Sequence, residues 1–180
     1  DSLISIATDY YQHQGDVRNR FLSLYYKGRI HYNAGDYLHA MLNYSEAETL
    51  VPDLQDDYYA GLLYSQLGSI YRNYYDFPKS LEAYQKAENK KKKAKKDFHR
   101  QFAMTDQSVV YRNVDNYVKS DSLLQVVLAE AIHEENHTLI DYTMGNLLMQ
   151  YVEQERIQEA KYINEKLLKQ YGIENKTSSF

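Results

Sequence analysis

The chain of 180 residues contains no cysteine, which excludes disulfide scaffolds, thiolate metal sites and cysteine nucleophiles together. Tryptophan is missing as well, and only two prolines and seven glycines occur. That is too few turn residues for an all-β chain of this length. No stretch approaches the roughly 18 consecutive apolar residues that span a bilayer, and no secretory hydrophobic segment is visible. What remains is a helical bias. Tyrosine is abundant instead, with 20 copies against five phenylalanines, and it supplies large apolar bodies whose polar tip tolerates half-burial. A content of 43% hydrophobic and 26% charged residues matches a folded chain and not a disordered one.

An internal period organises the sequence. Gly28, Gly68, Ser108 and Leu148 are 40 residues apart, and each is followed three positions later by a ring at His31, Tyr71, Tyr111 and Tyr151. Further along each unit stand Tyr37, Phe77, Tyr117 and Ile157, then Ala40, Ser80, Ser120 and Ala160, then Tyr44, Tyr84, Leu124 and Asn164, then Ala47, Ala87, Val127 and Leu167. Spacings of three, four and seven put these side chains on one face of a helix. Each unit therefore reads as two amphipathic helices that must stack on their neighbours to bury that face. The small residues mark places where backbones approach closely, and glycine inside a helix costs up to about 1 kcal/mol relative to alanine, so Gly28 and Gly68 are expected at tight crossings.

Turn chemistry falls at the breaks: Gly35-Asp36, Asp76 before Phe77 and Pro78, and Asp115-Asn116. Asp or Asn at a helix start accepts bonds from orphan backbone N–H groups, and Pro78 suits an early helical position. The first twenty residues fit the same register one period earlier, with Ile4 aligned to Tyr44, Ala7 to Ala47 and Asp16 to Asp56. Nine helices are expected near 2–13, 17–34, 37–51, 55–74, 77–97, 99–114, 117–135, 137–154 and 157–171. The domain reading is one repeat domain over 1–172, with a half repeat at 1–16, repeats at about 17–54, 55–97, 98–136 and 137–172, and a flexible tail at 173–180.

On these residues the chain resembles the tetratricopeptide repeat family. Gly28, Gly35-Asp36-Tyr37, Ala40, Tyr44, Ala47 and Pro52 follow its pattern, and Leu67-Gly68, Tyr71, Phe77, Ser80, Tyr84 and Ala87 nearly so. Lys27 departs from the usual Leu, Leu24 and Tyr64 stand where Trp is common, and the period exceeds the family's typical length of about 34. The resemblance implies an all-α, right-handed superhelix of antiparallel helix pairs whose concave surface binds an extended peptide or a helix. Long, Tyr-rich repeats of this kind are also similar to regions preceding a membrane segment and a DNA-binding domain in bacterial regulators. Lysines of the members that grip a chaperone C-terminus are replaced here by Tyr25 and Phe102.

The concave face is expected on the side of each first helix away from the Gly/Tyr stripe. In register this selects Tyr25, Arg29, Tyr32 and Asn33, then Ser65, Ser69, Arg72 and Asn73, then Thr105, Val109, Arg112 and Asn113. Asn bonds both N–H and C=O of a bound backbone, and Arg clamps a carboxylate with two donors.

Two other signals compete. Residues 133–137 read His-Glu-Glu-Asn-His, the spacing of zinc hydrolases in which two histidines one helical turn apart bind the metal and Glu134 acts as base. Polar Glu135 and Asn136 and a position at a repeat junction favour a solvated linker instead. Six lysines fall between Lys90 and Lys96, and such runs attract nucleic acid or anionic lipid. A helix C-terminus also welcomes cations, and no aromatic row accompanies this run. His13, His31, His39 and His99 are scattered, with His31 at a packing position.

The expectation is a non-enzymatic scaffold without cofactor or metal that holds a protein or extended peptide, with nucleic acid disfavoured as partner. The resemblance to the repeat regions of bacterial regulators implies the sensory or interaction region of a larger bacterial protein, and the start at Asp1 without an initiator Met reads as a removed natural N-terminus. A receptor for a short signalling oligopeptide is the alternative. Periplasmic, membrane-tethered or cytoplasmic placement, and any membrane contact, then rest with flanking segments.

Overall fold

The computed structural model describes residues 2–12 and 16–170. The expected tail at 173–180 lies outside them. Among the described residues there are ten helices and no strand: α1 Ser2–Gln12, α2 Val17–Asn33, α3 Tyr37–Thr49, α4 Val51–Leu54, α5 Asp57–Asn73, α6 Phe77–Lys93, α7 Asp97–Asn113, α8 Tyr117–His133, α9 His137–Glu153 and α10 Ile157–Gln170. All but α1 and α4 start at twenty-residue intervals from Val17. The forty-residue period is thus two equal halves.

The regular spacing has a local cause. Gly35, Gln55, Tyr75, Lys95, Asp115, Glu135 and Glu155 all have left-handed φ values. At six of these the helix closes with the same pair of bonds. At Gly35, for example, its own N–H reaches the Tyr32 carbonyl and the Asp36 N–H reaches the His31 carbonyl, at 3.0 and 2.9 Å, which satisfies the orphan carbonyls of the last turn. The next residue then starts the following helix. Asp36, Asp76, Asn116 and Asn136 each accept a backbone N–H three residues on. Three residues suffice to end one helix and begin another.

At Gly35 nothing approaches within 4 Å of the position a Cβ would take. The residue is there for its φ of +77° alone. Gly35→Ala is expected to destabilise by about 1–2 kcal/mol, the cost of holding an L-residue left-handed, read as a lower midpoint in urea unfolding.

Several expected boundaries shift, two of them with a visible cause. The helix expected over 37–51 ends at Thr49, and Pro52 sits in the first turn of the short α4, where its missing N–H costs nothing. The helix expected over 77–97 ends at Lys93, because Lys95 turns left-handed, and α7 begins at Asp97.

The chain divides into two compact units, Asp1–Ala103 and Met104–Phe180. In the first, α1 packs on α2, α2 on α3, α3 on α5 and α5 on α6. Its core holds Phe21, Leu24, Tyr44, Leu63, Leu67 and Ile70, each worth about 1.5–3 kcal/mol of transfer free energy when fully buried. Gly28 and Gly68 sit at tight crossings. A Cβ on Gly28 would collide with the Tyr44 ring, and one on Gly68 would lie 2.9 Å from the Tyr84 ring. Ser80, one residue row along, donates its hydroxyl to the Gly68 carbonyl at 2.8 Å. In the second unit, α8 packs on α9 and α9 on α10, around Leu124, Met144, Leu147 and Ile163.

Candidate functional site

The residues predicted for a groove divide by exposure. On α2, Tyr25 is buried against the rings of Phe21, Tyr44 and Tyr59. Burial pushes its phenol up to about 12, against the opposing charge of Arg29. Tyr25 is therefore a core residue, because its ring is the piece that α2 contributes to the aromatic cluster. Arg29 and Asn33 are exposed, and half-buried Tyr32 packs its ring 5.2 Å from that of Tyr37.

On α5, two of the four residues serve the neighbouring helix. Ser65 accepts from Lys91 Nζ at 2.6 Å, and Ser69 shares a 2.9 Å bond with the Tyr84 hydroxyl. Asn73 is exposed and Arg72 half-buried. On α7, Thr105 is fully buried and Val109 half-buried. Arg112 is only 8% exposed. Its Nη1 donates to the Asn146 carbonyl at 3.2 Å, and its Nε lies 3.4 Å from a Glu153 oxygen. Tyr25, Thr105 and Arg112 accordingly cannot line a groove. Helical periodicity placed them on the right side of their own helix, but a neighbouring helix covers that side. The surface left in the first unit is Arg29, Tyr32, Asn33, Arg72 and Asn73, and in the second Val109 and Asn113.

The His-Glu-Glu-Asn-His segment is no helical motif. His133 ends α8, Glu135 is left-handed, Asn136 caps α9 and His137 begins it. The two histidines therefore sit on different helices across a turn, and both are exposed. Two ligands on one helical face, which the hydrolase arrangement requires, are not formed. Within the lysine run, Lys90 pairs with Asp57 at 2.6 Å, Lys91 is buried, and Lys96 stands over the Tyr58 ring at 5.6 Å. Lys92, Lys93 and Lys95 face solvent.

Two features escaped the sequence reading. One is a cleft of about 860 Å³ in the second unit. Met144, Leu147 and Tyr151 of α9 and Ile163 of α10 give it an apolar floor, while Lys166 and Lys169 stand along the α10 side. Tyr151 also hydrogen-bonds Asp121 at 3.2 Å, and burial first, with the Asp121 charge second, raises its phenol above the ordinary range. The other is a group of three potential metal ligands at the α2–α3 turn, His31, Asp36 and His39. The His39 side chain, then its backbone N–H, hold the Asp36 carboxyl below the usual carboxylate range.

These features define an all-helical protein of consecutively packed helical hairpins. Among the described residues no helix is long and apolar enough to cross a membrane. No protein-family model matches the sequence, and no curated protein matches it. Among solved structures, the chain is similar to BtubC (BKLC) from P. vanneervenii, with a TM-score of 0.77 and 14% identity over 99% of this chain and 75% of that one. At that identity the likeness is one of fold.

Proposed function

We propose that the chain is a non-enzymatic, tetratricopeptide-like scaffold, wound as a right-handed superhelix, that binds a protein or extended peptide within a larger bacterial protein. The observation that carries this reading is the cleft of the second unit. An apolar floor bordered by Lys166 and Lys169, with Glu159, the one lining acid among the described residues, already paired with Arg156, suits an amphipathic segment that buries one or two apolar side chains and presents carboxylates to the lysines. The exposed Arg29, Asn33 and Asn73 of the first unit are a second surface for an extended backbone.

The test is selection from a random twelve-residue peptide display library on the whole chain. Enriched peptides are expected to carry an apolar residue flanked by Asp or Glu. Ile132 of α8 also lines the cleft, and Ile132→Glu with Lys166→Glu, both at exposed positions, should weaken them at least tenfold, about 1.4 kcal/mol. Asn33→Ala with Asn73→Ala should leave cleft-directed peptides unchanged. Full binding to the cleft variant would remove the cleft from the proposal.

A receptor for a short oligopeptide is the second reading. The cleft volume favours it, since it falls within the roughly 300–1,000 Å³ of small-ligand sites. Equal affinity for a selected peptide free and embedded in a carrier protein would support it.

A further inference from the structure

In three of the four forty-residue repeats the helix junction pairs a ring with a side-chain cation. Lys79 Nζ stands 5.6 Å from the centre of the Tyr71 ring and 2.8 Å from Asp76. Lys119 stands 5.3 Å from the Tyr111 ring. In the fourth repeat the lysine row holds Glu159, and Arg156, in the row of Asp36 and Asp76, lies 4.3 Å from the Tyr151 ring and pairs with Glu159 at 3.0 Å. The first repeat alone replaces both the ring and the lysine with histidine: His31 stands in the tyrosine row and His39 in the lysine row. Their imidazoles stack at 5.3 Å and 29°, and both Nδ1 atoms lie within hydrogen-bond distance of the Asp36 carboxylate.

We propose that His31, Asp36 and His39 bind a divalent transition cation of the zinc type, so that a metal stands where the other units use a side-chain cation. The donor set of two imidazoles and a carboxylate selects such an ion over calcium or magnesium, which prefer oxygen ligands. The spacing is near that of a shared ion. Ligand atoms about 2.0–2.1 Å from a common zinc lie about 2.9–3.4 Å apart. Asp36 Oδ2 is 3.2 Å from His31 Nδ1, inside that range, and 2.7 Å from His39 Nδ1, a hydrogen-bond contact that a shared ion would have to lengthen slightly. One ligand atom from each residue falls within 4.8 Å of the other two.

The fold presets this arrangement. The left-handed Gly35 and the Asp36 N–H to His31 carbonyl bond, 2.9 Å, hold the carboxylate beside the end of α2. Asp36 Oδ1 accepts the His39 N–H at 3.2 Å, which orients the carboxylate as outer-shell partners orient metal ligands. His39 and Asp36 are open enough to solvent for water to complete the coordination, as at three-ligand zinc sites. The site is independent of the cleft.

Calorimetric titration of the whole chain with zinc chloride tests it, with cobalt(II) absorption as a second readout. One equivalent is expected at micromolar affinity, with a cobalt spectrum of nitrogen and oxygen ligation and a rise in thermal midpoint. His31→Tyr with His39→Lys rebuilds the ring and cation of the second repeat, Tyr71 and Lys79. It should stay folded by circular dichroism and lose the site. His39→Ala alone, at an exposed position, should weaken binding by at least about tenfold, the least that outer-shell losses cost. His133→Ala with His137→Ala should bind as the unsubstituted chain does. No heat or cobalt spectrum with the unsubstituted chain, or equal binding by His39→Ala, would overturn the site.

Discussion

Tyr84→Ala is expected to lower the stability of the first unit by about 3–5 kcal/mol, the range for deleting a fully buried aromatic side chain. Tyr84 is 0% exposed. Its ring fills the space that Gly68 leaves open, and its hydroxyl meets Ser69 at 2.9 Å. Tyr84→Phe keeps the ring and should cost about 1 kcal/mol, the net worth of one hydrogen bond. The pair with Gly68 separates packing from propensity. Gly68→Ala improves intrinsic helix propensity by about 1 kcal/mol, yet in the unsubstituted chain the added Cβ meets the Tyr84 ring at 2.9 Å. Overpacking of that kind costs about 1–3 kcal/mol. In the Tyr84→Ala background the same change should become stabilising. Urea unfolding of the four combinations gives the coupling energy directly. Additive effects would mean that the two helices do not cross there.

Arg112→Ala is expected to destabilise the second unit by about 2–3 kcal/mol. Losing one partner of a fully buried ion pair costs about 3–5 kcal/mol. The lower figure applies because Glu153 is 43% exposed and solvent screens it. The long apolar stem of Arg112 contributes as packing, not only as charge. Glu153→Gln should cost under about 1 kcal/mol, as exposed pairs do, and Arg112→Met should recover part of the loss. A groove residue would behave in the opposite way, with stability unchanged and peptide capture reduced. Thermal melts and library selection on the same variant separate the two.

Much of the architecture was legible in one dimension. Helix starts at Asp36, Asp56, Asp76, Asn116 and Asn136 are local events, a carboxylate or amide meeting N–H groups two or three residues away. The crossings at Gly28 and Gly68 were legible because close approach demands the missing Cβ. The twenty-residue half-module was not. Its left-handed positions hold Tyr75, Lys95, Asp115, Glu135 and Glu155, where backbone hydrogen bonds override side-chain preference and no glycine marks the place. His31 and His39 looked unrelated because they lie on different helices. Closure of the α2–α3 hairpin on Asp36 brings them within reach of one ion.

The order of helices, their caps and the small-on-large contacts between paired helices were determined by the sequence itself, since each depends on residues a few positions apart or one period apart. Which polar residues meet solvent was decided only by the tertiary structure. Ser65, Ser69, Thr105 and Arg112 occupy the same helical side as Asn33, Asn73 and Asn113, yet Ser65, Ser69 and Arg112 bond neighbouring helices and Thr105 is buried. Exposure belongs to a pair of surfaces, and a residue's place on its own helix names only one of them.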